Sequence, residues 1–328
     1  MPDTTTTPTT MNVKLKVKRF DPADSGGKTW WQEYDVDVHP DSTVLDSLIQ
    51  VREQEDGTLA MRCACRASIC GSCGMKVNGS AKLVCKTRVV DVAPNGEQLT
   101  IEPMGNQHVV RDLVVSLDTF FNQINRVQPF LQPSFVPEQG EYTASNDSME
   151  NLLTSMNCIM CGCCVSDCTV LEVDSNFIGP AALAKAWRFT EDPRDSKRDE
   201  RLKALNDEDG GMWDCTRCMK CVDVCPKGVA PMDRIMELRE AAIEAGNTNT
   251  SGYRHTESFY NSVKKNGRLD ETRLAIDSAG WTNIPRLLDL APIGIAAMRK
   301  GKLPPLMPHK SEDHKKVRDL YKSVEDES

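Results

Sequence analysis

Fourteen cysteines in a chain of 328 residues are the groups best equipped for chemistry, and they fall in three clumps. Cys63, Cys65, Cys70, Cys73 and Cys85 form the first; Cys158, Cys161, Cys163, Cys164 and Cys168 the second; Cys215, Cys218, Cys221 and Cys225 the third. None is left over, and a cysteine-free stretch from Lys86 to Asn157 separates the first two clumps. An iron–sulfur cluster is small and takes thiolate ligands, so a short loop can wrap it only when neighbouring ligands sit a few residues apart. Cys65-x4-Cys70-x2-Cys73, completed by Cys85, has the plant-ferredoxin spacing for a [2Fe–2S] cluster. Gly71 and Gly74 would let backbone N–H groups approach the sulfides closely. A structural zinc site on the same thiolates is the plain alternative, but zinc favours paired C-x2-C knuckles. Cys63 lies outside the pattern and reads as a spare thiol.

Cys158-x2-Cys161-x2-Cys164-x3-Cys168 and Cys215-x2-Cys218-x2-Cys221-x3-Cys225-Pro226 each reproduce the bacterial ferredoxin run. In two-cluster ferredoxins the fourth cysteine of each run serves the other cluster. The crossing assigns Cys158, Cys161, Cys164 and Cys225 to a [4Fe–4S] cluster, and Cys168, Cys215, Cys221 and Cys218 to a third cluster. It also requires the two runs to pack together. Cys163 stands between ligands and reads as a buried small residue. Other site chemistry is missing: there is no dinucleotide fingerprint and no P-loop. The histidines His39, His108, His255, His309 and His314 are scattered, and none forms a C-x-H pair of the Rieske kind. The tryptophans read as core or interface residues, with Trp213 abutting a cluster loop. The runs Glu191–Glu200 and Asp207–Asp209 read as solvated faces. Clusters without an organic catalytic site imply electron movement, with donor and acceptor sites on other subunits and no substrate site on this chain.

The elements that must hold these loops follow from patterning. Val13, Leu15 and Val17 alternate with polar residues as a half-buried strand, and Trp30 to Val38 alternates likewise, with a turn at Ser25-Gly26-Gly27. Thr43 to Glu53 carries a helical apolar face, with Asp41 or Ser42 expected as N-cap. Asn78-Gly79 marks a hairpin turn before a strand read over Lys82 to Val92, and Leu99-Thr100-Ile101 closes the module. Beyond Pro103 the pattern turns helical: Val109 to Gln128, then helices opened by Pro180 and Pro231. Residues 247–280 are polar and weakly patterned, a short apolar helix follows Trp281, and the charged last twenty residues read as loose. The class is therefore α+β: a leader over 1–11, a ferredoxin-type domain over 12–105, a helical domain over 106–246 with two cubane-type sites, and a C-terminal extension over 247–328. The formal charge of −8 argues against nucleic acid as partner. No apolar run is long enough to span a membrane, and MPDTTTTPTT lacks the features of a secretory signal.

Over about residues 12–245 the chain resembles the iron–sulfur subunits of succinate dehydrogenases and fumarate reductases. The resemblance rests on Cys65-Arg66, Ile69-Cys70-Gly71-Ser72-Cys73-Gly74-Met75, and Val110-Arg111-Asp112-Leu113-Val114-Val115. It continues through Phe177-Ile178-Gly179-Pro180-Ala181, Trp187-Arg188-Phe189 and Val224-Cys225-Pro226-Lys227-Gly228. It implies a β-grasp [2Fe–2S] domain followed by a bacterial-ferredoxin-like helical domain, docked on an FAD-containing flavoprotein and on a membrane anchor that exchanges electrons with quinone. Most members have an apolar residue in place of Cys218 and carry [3Fe–4S] on the equivalents of Cys168, Cys215 and Cys221. With Cys218 present, both a [3Fe–4S] cluster and a second [4Fe–4S] cluster remain open. This chain reads Thr169-Val170-Leu171-Glu172-Val173 where many members have a proline and then quinone-pocket tryptophans, and Thr216 where a pocket histidine often stands, so no quinone-contact residue is assigned.

The tail from Arg286 to Lys310 resembles the end of heterodisulfide-reductase-type iron–sulfur subunits, and contact with the anchor or with lipid headgroups is expected of it. The leading expectation is the electron-transfer subunit of a succinate:quinone oxidoreductase, peripheral on the cytoplasmic face of the cell membrane. A soluble fumarate reductase with a non-quinone donor, expected to continue into a cysteine-rich domain, and a stand-alone ferredoxin-like carrier are the rivals.

Overall fold

The computed structural model describes residues 10–23, 26–206, 209–305 and 308–327. Most of the expected leader, Ser25 of the first turn, and Asp207 and Glu208 of the acidic run lie outside the described residues. The chain divides into two compact units, residues 1–205 with 215–240, and residues 206–214 with 241–328. All fourteen cysteines belong to the first.

The first unit begins with a five-stranded sheet. Strands β1 (Met11–Phe20) and β2 (Thr29–Val38) are antiparallel, with Leu15 opposite Tyr34. Two short strands, β3 (Gly74–Val77) and β4 (Ser80–Leu83), form a hairpin turned by Asn78 and Gly79 at φ 50° and 79°. Strand β5 (Leu99–Glu102) lies between β1 and β3, parallel to β1, in the order β2-β1-β5-β3-β4. Alternation buries Val13, Leu15 and Val17 on the face covered by the helix Val44–Gln54, whose Leu45, Leu48 and Val51 complete the core. The N-cap of that helix is Thr43, not Asp41 or Ser42. Its hydroxyl accepts from Asp46 N–H at 3.2 Å while the Asp46 carboxylate accepts from Thr43 N–H at 2.9 Å, a reciprocal capping box. The strand expected over Lys82 to Val92 stops at Leu83, and the helical turn Val89–Val92 follows.

The helix expected over Val109 to Gln128 is confined to Asp118–Arg126. Its first part is instead a small hairpin, β6 (Val109–Arg111) and β7 (Val114–Val115), turned at Asp112 with φ 44°. Burial explains the conversion. The Asp112 carboxylate accepts from Arg19 Nε at 2.9 Å, Phe20 N–H at 3.0 Å and Ala60 N–H at 2.8 Å, so tertiary bonds override local helical preference. Helices Asn146–Met156, Pro180–Thr190, Arg198–Leu205 and Pro231–Glu244 surround the second and third cysteine clumps, Pro180 opening its helix as expected.

In the second unit the helices Ser251–Asn266 and Glu271–Ala279 occupy the stretch read as weakly patterned. The buried stripe of the first is Ser258, Ser262 and Asn266, which is polar, so hydrophobic periodicity cannot reveal it. Ser258 Oγ donates to Asp277 of the neighbouring helix at 2.7 Å. The helix Ile284–Arg299 follows, and the tail read as loose forms the helix His314–Glu327. It is held by a Tyr260–Tyr321 edge contact at 4.9 Å and by Glu325, which takes the Tyr260 hydroxyl at 2.6 Å and the Lys264 ammonium.

Candidate metal centres

The first clump lies on the loop between Leu59 and β3, except for Cys85, which follows β4. Arg66 and Ser68 take φ of 55° and 57°, and Gly71 takes 71°, curling the loop so that successive N–H groups point inward. Ala67, Ile69 and Cys70 donate N–H to Cys65 Sγ at 3.3–3.4 Å, and Ser68 donates to Cys85 Sγ at 3.3 Å. The Ser72 hydroxyl, 3.2 Å from Cys70 Sγ, leads the bonds that draw the Cys70 thiol down to about 6. Burial pushes Cys73 up to about 12. Inward-aimed amide donors around four thiols fit a group that carries negative charge on sulfur.

The second and third clumps repeat one backbone design. Met160 and Gly162 in the first run have φ of 58° and 78°; Arg217 and Met219, at the same register of the second, have 59° and 66°. Each left-handed pair leads into a four-residue helix, Cys163–Ser166 and Lys220–Asp223. Both runs therefore loop out, return, and leave on a helical turn that carries the third ligand cysteine, Cys164 or Cys221, with Cys168 and Cys225 just beyond it. Cys161 and Cys218 stand at equivalent places.

The runs interlock. Cys158, Cys161 and Cys164 line one cavity together with Cys225 of the other run, closed by Pro226, Ala181 and Phe120. Val229 N–H donates to Cys225 Sγ at 3.3 Å. Cys168 in turn stands with Cys215, Cys218 and Cys221: burial, then repulsion from Cys215, Cys168 and Cys218, pushes Cys221 up to about 12. The Thr169 hydroxyl reaches Cys218 Sγ at 3.4 Å. Burial, then the other thiols, raises Cys164 well above its ordinary value. Four thiolates gathered together repel one another and need a cationic partner, which an iron–sulfur core supplies. Among the described residues no three His, Cys, Asp or Glu side chains converge tightly enough for a single metal ion. Cys158, Cys161, Cys164 and Cys225 ring a space, which fits a polynuclear cluster. Cys163 is fully buried in the core, and Cys63 is half-buried at its edge.

The sheet and the cluster loops are joined by residues that spacing does not flag. The Asn106 amide donates to the carbonyls of Val165 and Cys168 at 2.8 and 2.9 Å, and Gly105 N–H donates to Ser166 Oγ at 3.0 Å. The Asp167 carboxylate accepts Ala81 N–H from β4 at 3.0 Å. A Cβ on Gly71 would meet Cys161 Cα and Ile159 O at 3.0 Å, so this glycine also lets the first cysteine loop lie against the second. A lone Asn after a Gly carries no motif, so only contacts identify its role.

Trp30 and Trp31 are not core residues. Both are exposed on β2, where Arg19 and the ammonium groups of Lys16 and Lys18 lie over the rings. Trp281 is exposed as well, and Trp213 packs edge-on against Tyr253 with its indole N–H on Asn206 at 2.6 Å.

Residues 14–122 match the model of the 2Fe-2S iron-sulfur cluster binding domain, and residues 154–229 that of the 4Fe-4S dicluster domain. The fumarate reductase iron-sulfur subunit of Mycobacterium tuberculosis is 37% identical over 70% of this chain and 92% of its own. The mitochondrial succinate dehydrogenase [ubiquinone] iron-sulfur subunit of Dictyostelium discoideum is 33% identical over 69% of this chain and 81% of its own. The 8-methylmenaquinol:fumarate reductase iron-sulfur subunit of Wolinella succinogenes is 29% identical and aligns with 95% of this chain and 98% of its own. A chain in the structure of the Mycobacterium smegmatis Sdh1 complex in the apo form superposes with a TM-score of 0.66, at 25% identity, over 74% of this chain and 99% of that one.

Proposed function

Given that the chain belongs to the iron–sulfur subunits of succinate dehydrogenases and fumarate reductases, we propose that it relays single electrons between an FAD-containing flavoprotein subunit and quinone at a membrane anchor, on the cytoplasmic face. Bound at the three thiol sets, iron–sulfur clusters supply one-electron redox chemistry. The chain's own part is to hold them and to set the hydrogen bonds around their sulfurs. Cys65, Cys70, Cys73 and Cys85 hold the [2Fe–2S] cluster within the domain of residues 12–105. Cys158, Cys161, Cys164 and Cys225 hold a [4Fe–4S] cluster, and Cys168, Cys215, Cys218 and Cys221 hold the third, within residues 106–246. The observation that carries the reading is the interlock of the two runs, with Cys225 lining the cavity of Cys158, Cys161 and Cys164. Cys218 as a fourth thiolate of the third cluster is supported by its shared register with Cys161 and by its place beside Cys168 and Cys221. With Cys218 bound, this cluster is a second [4Fe–4S]; with Cys168, Cys215 and Cys221 alone, it is the [3Fe–4S] cluster that such iron–sulfur subunits carry, and a strong [3Fe–4S] resonance from the air-oxidised protein identifies the latter.

Quinone as the membrane-side partner is supported by the similarity, along nearly the whole chain, to a subunit named for an 8-methylmenaquinol:fumarate reductase. Purification from membranes, with subunit identification and an assay of succinate-dependent quinone reduction, tests the proposal. Flavoprotein and anchor are expected to co-purify with activity. Recovery with a flavoprotein alone would favour a non-quinone donor, and recovery alone a free carrier.

A further inference from the structure

The helix Ile284–Arg299 buries none of its residues, although its composition is mostly apolar. Leu287, Leu290 and Ala297 are half-buried, and the helix contacts Glu271–Ala279. Ile293, 68% exposed, lies on the opposite side, while Ile284, Leu288, Ile295 and Met298 share an adjoining face and are 65%, 65%, 50% and 64% exposed. Their spacing of four, seven and three residues keeps them within one stripe along a 3.6-residue helix. Trp281, 68% exposed, extends the stripe at its N-terminal end. Aligned apolar side chains left in water over a whole helix signify a surface meant to be covered.

Charge identifies the cover. The chain as a whole carries −8, yet the helix ends in exposed Arg299, Lys300 and Lys302, and its only acidic residue is Asp289. The last turn closes through Gly301 at φ 64°, with Gly301 N–H on Met298 O at 3.1 Å and Lys302 N–H on Ala297 O at 2.8 Å. That double bond pattern holds the cations around the end of the apolar stripe. A helix of 16 residues is about 24 Å long, short of the roughly 30 Å hydrocarbon core, and Pro292 stands inside it. No helix among the described residues is long and apolar enough to cross a membrane.

We infer that the Ile284–Arg299 helix lies in the headgroup layer of an anionic lipid bilayer, with Ile284, Leu288, Ile295 and Met298 sunk toward the acyl chains. Arg299, Lys300 and Lys302 pair with lipid phosphates, and the Trp281 ring sits at the interface. This rests on the membrane-side placement proposed above and gives the chain a direct lipid contact independent of any anchor subunit.

The test is flotation of the full-length, cluster-loaded chain with vesicles of phosphatidylcholine, with and without 30% phosphatidylglycerol. Binding is expected to need the anionic lipid and to fall with added salt. Leu288→Ser/Ile295→Ser and Ile295→Gln/Met298→Gln should each weaken it about tenfold or more, and Lys300→Gln/Lys302→Gln about fivefold per cation removed. Unchanged visible absorption and helical circular dichroism certify each variant, and the two stripe variants guard against one misfolding. Failure of the wild-type chain to float, or flotation of both stripe variants like wild type, overturns the inference. So does a stripe variant that keeps vesicle binding but loses a co-purifying subunit, which would make the stripe a protein interface. Quinone reduction that persists without vesicle binding removes only the lipid contact. Vesicle binding without quinone reduction removes only the electron-relay reading.

Discussion

Cys225 carries the sharpest consequence at the level of single side chains. Lying in the third clump and lining the cavity of the second, it should, as Cys225→Ser, disturb the cluster of Cys158, Cys161 and Cys164. Iron content and low-temperature spectra check this, and damage confined to the third-clump cluster would defeat the crossed assignment. Charge burial gives two further expectations. Arg19 and Asp112 are almost wholly buried and paired at 2.9 Å, with Asp56 as the second carboxylate on the guanidinium. Asp112→Ala leaves that cation short of a partner and Ala60 N–H unsatisfied, at a cost of about 3 kcal/mol in denaturant unfolding. Asp192 has a fully buried carboxylate. Burial alone would raise its pKa, but the bonds from Arg194 and Arg188 outweigh it and hold the group at about 2. A carboxyl depressed in the folded state stabilises above its unfolded value and loses that contribution as pH falls through the folded one. Asp192 therefore supplies about 2 kcal/mol near neutrality that disappears between about pH 4 and pH 2. Acid titrations of stability should be flatter for Asp192→Asn in that window; parallel curves would show the carboxylate plays no such part.

At the level of elements, the joint between sheet and cluster loops is the feature with functional weight. Asn106 holds the carbonyls of Val165 and Cys168, at the end of the helical turn Cys163–Ser166 and just beyond it, and Gly71 permits backbone contact with the Cys161 loop. Asn106→Ala orphans those carbonyls and should cost about 1–3 kcal/mol, while Gly71→Ala adds strain at positive φ and a clash with backbone. Asn106→Ala should leave the [2Fe–2S] spectrum intact while loosening the loops, whereas Gly71→Ala, inside the Cys65–Cys73 loop, should disturb that spectrum as well. A rise in amide exchange at residues 159–168, with the β1–β2 ladder unchanged, is the expected signature. Much of this level was legible beforehand: the paired strands, the Asn78-Gly79 turn and the helices opened by Pro180 and Pro231 follow from period and punctuation. The misreadings share a cause. Val109–Val115 has helical spacing but is pulled into a hairpin by Asp112, and Ser251–Asn266 is a helix whose buried stripe is polar. Local pattern reports what a segment prefers alone, and both segments are decided by partners elsewhere in the chain.

For the whole molecule, the distribution of cysteine matters most. Every thiol belongs to the first unit, while the second is helical and has none. Ligand binding stabilises only the part that folds around it. Anaerobic removal of iron by chelator should therefore abolish the visible absorption and lower the unfolding temperature of the first unit. The helical signal of the second should persist to its original temperature. A single transition that moves as one body on iron loss would contradict this.

Cysteine type and interval alone established that this chain wraps iron–sulfur clusters and how many, because the reach of a short loop leaves few ways to ring so small an object. The same numbers could not say that Asn106 joins the sheet to those loops, that Asp112 breaks a helix, or that one apolar helix is left with an uncovered side. Those facts depend on which distant residues arrive beside them, and proximity in space is a product of the finished packing.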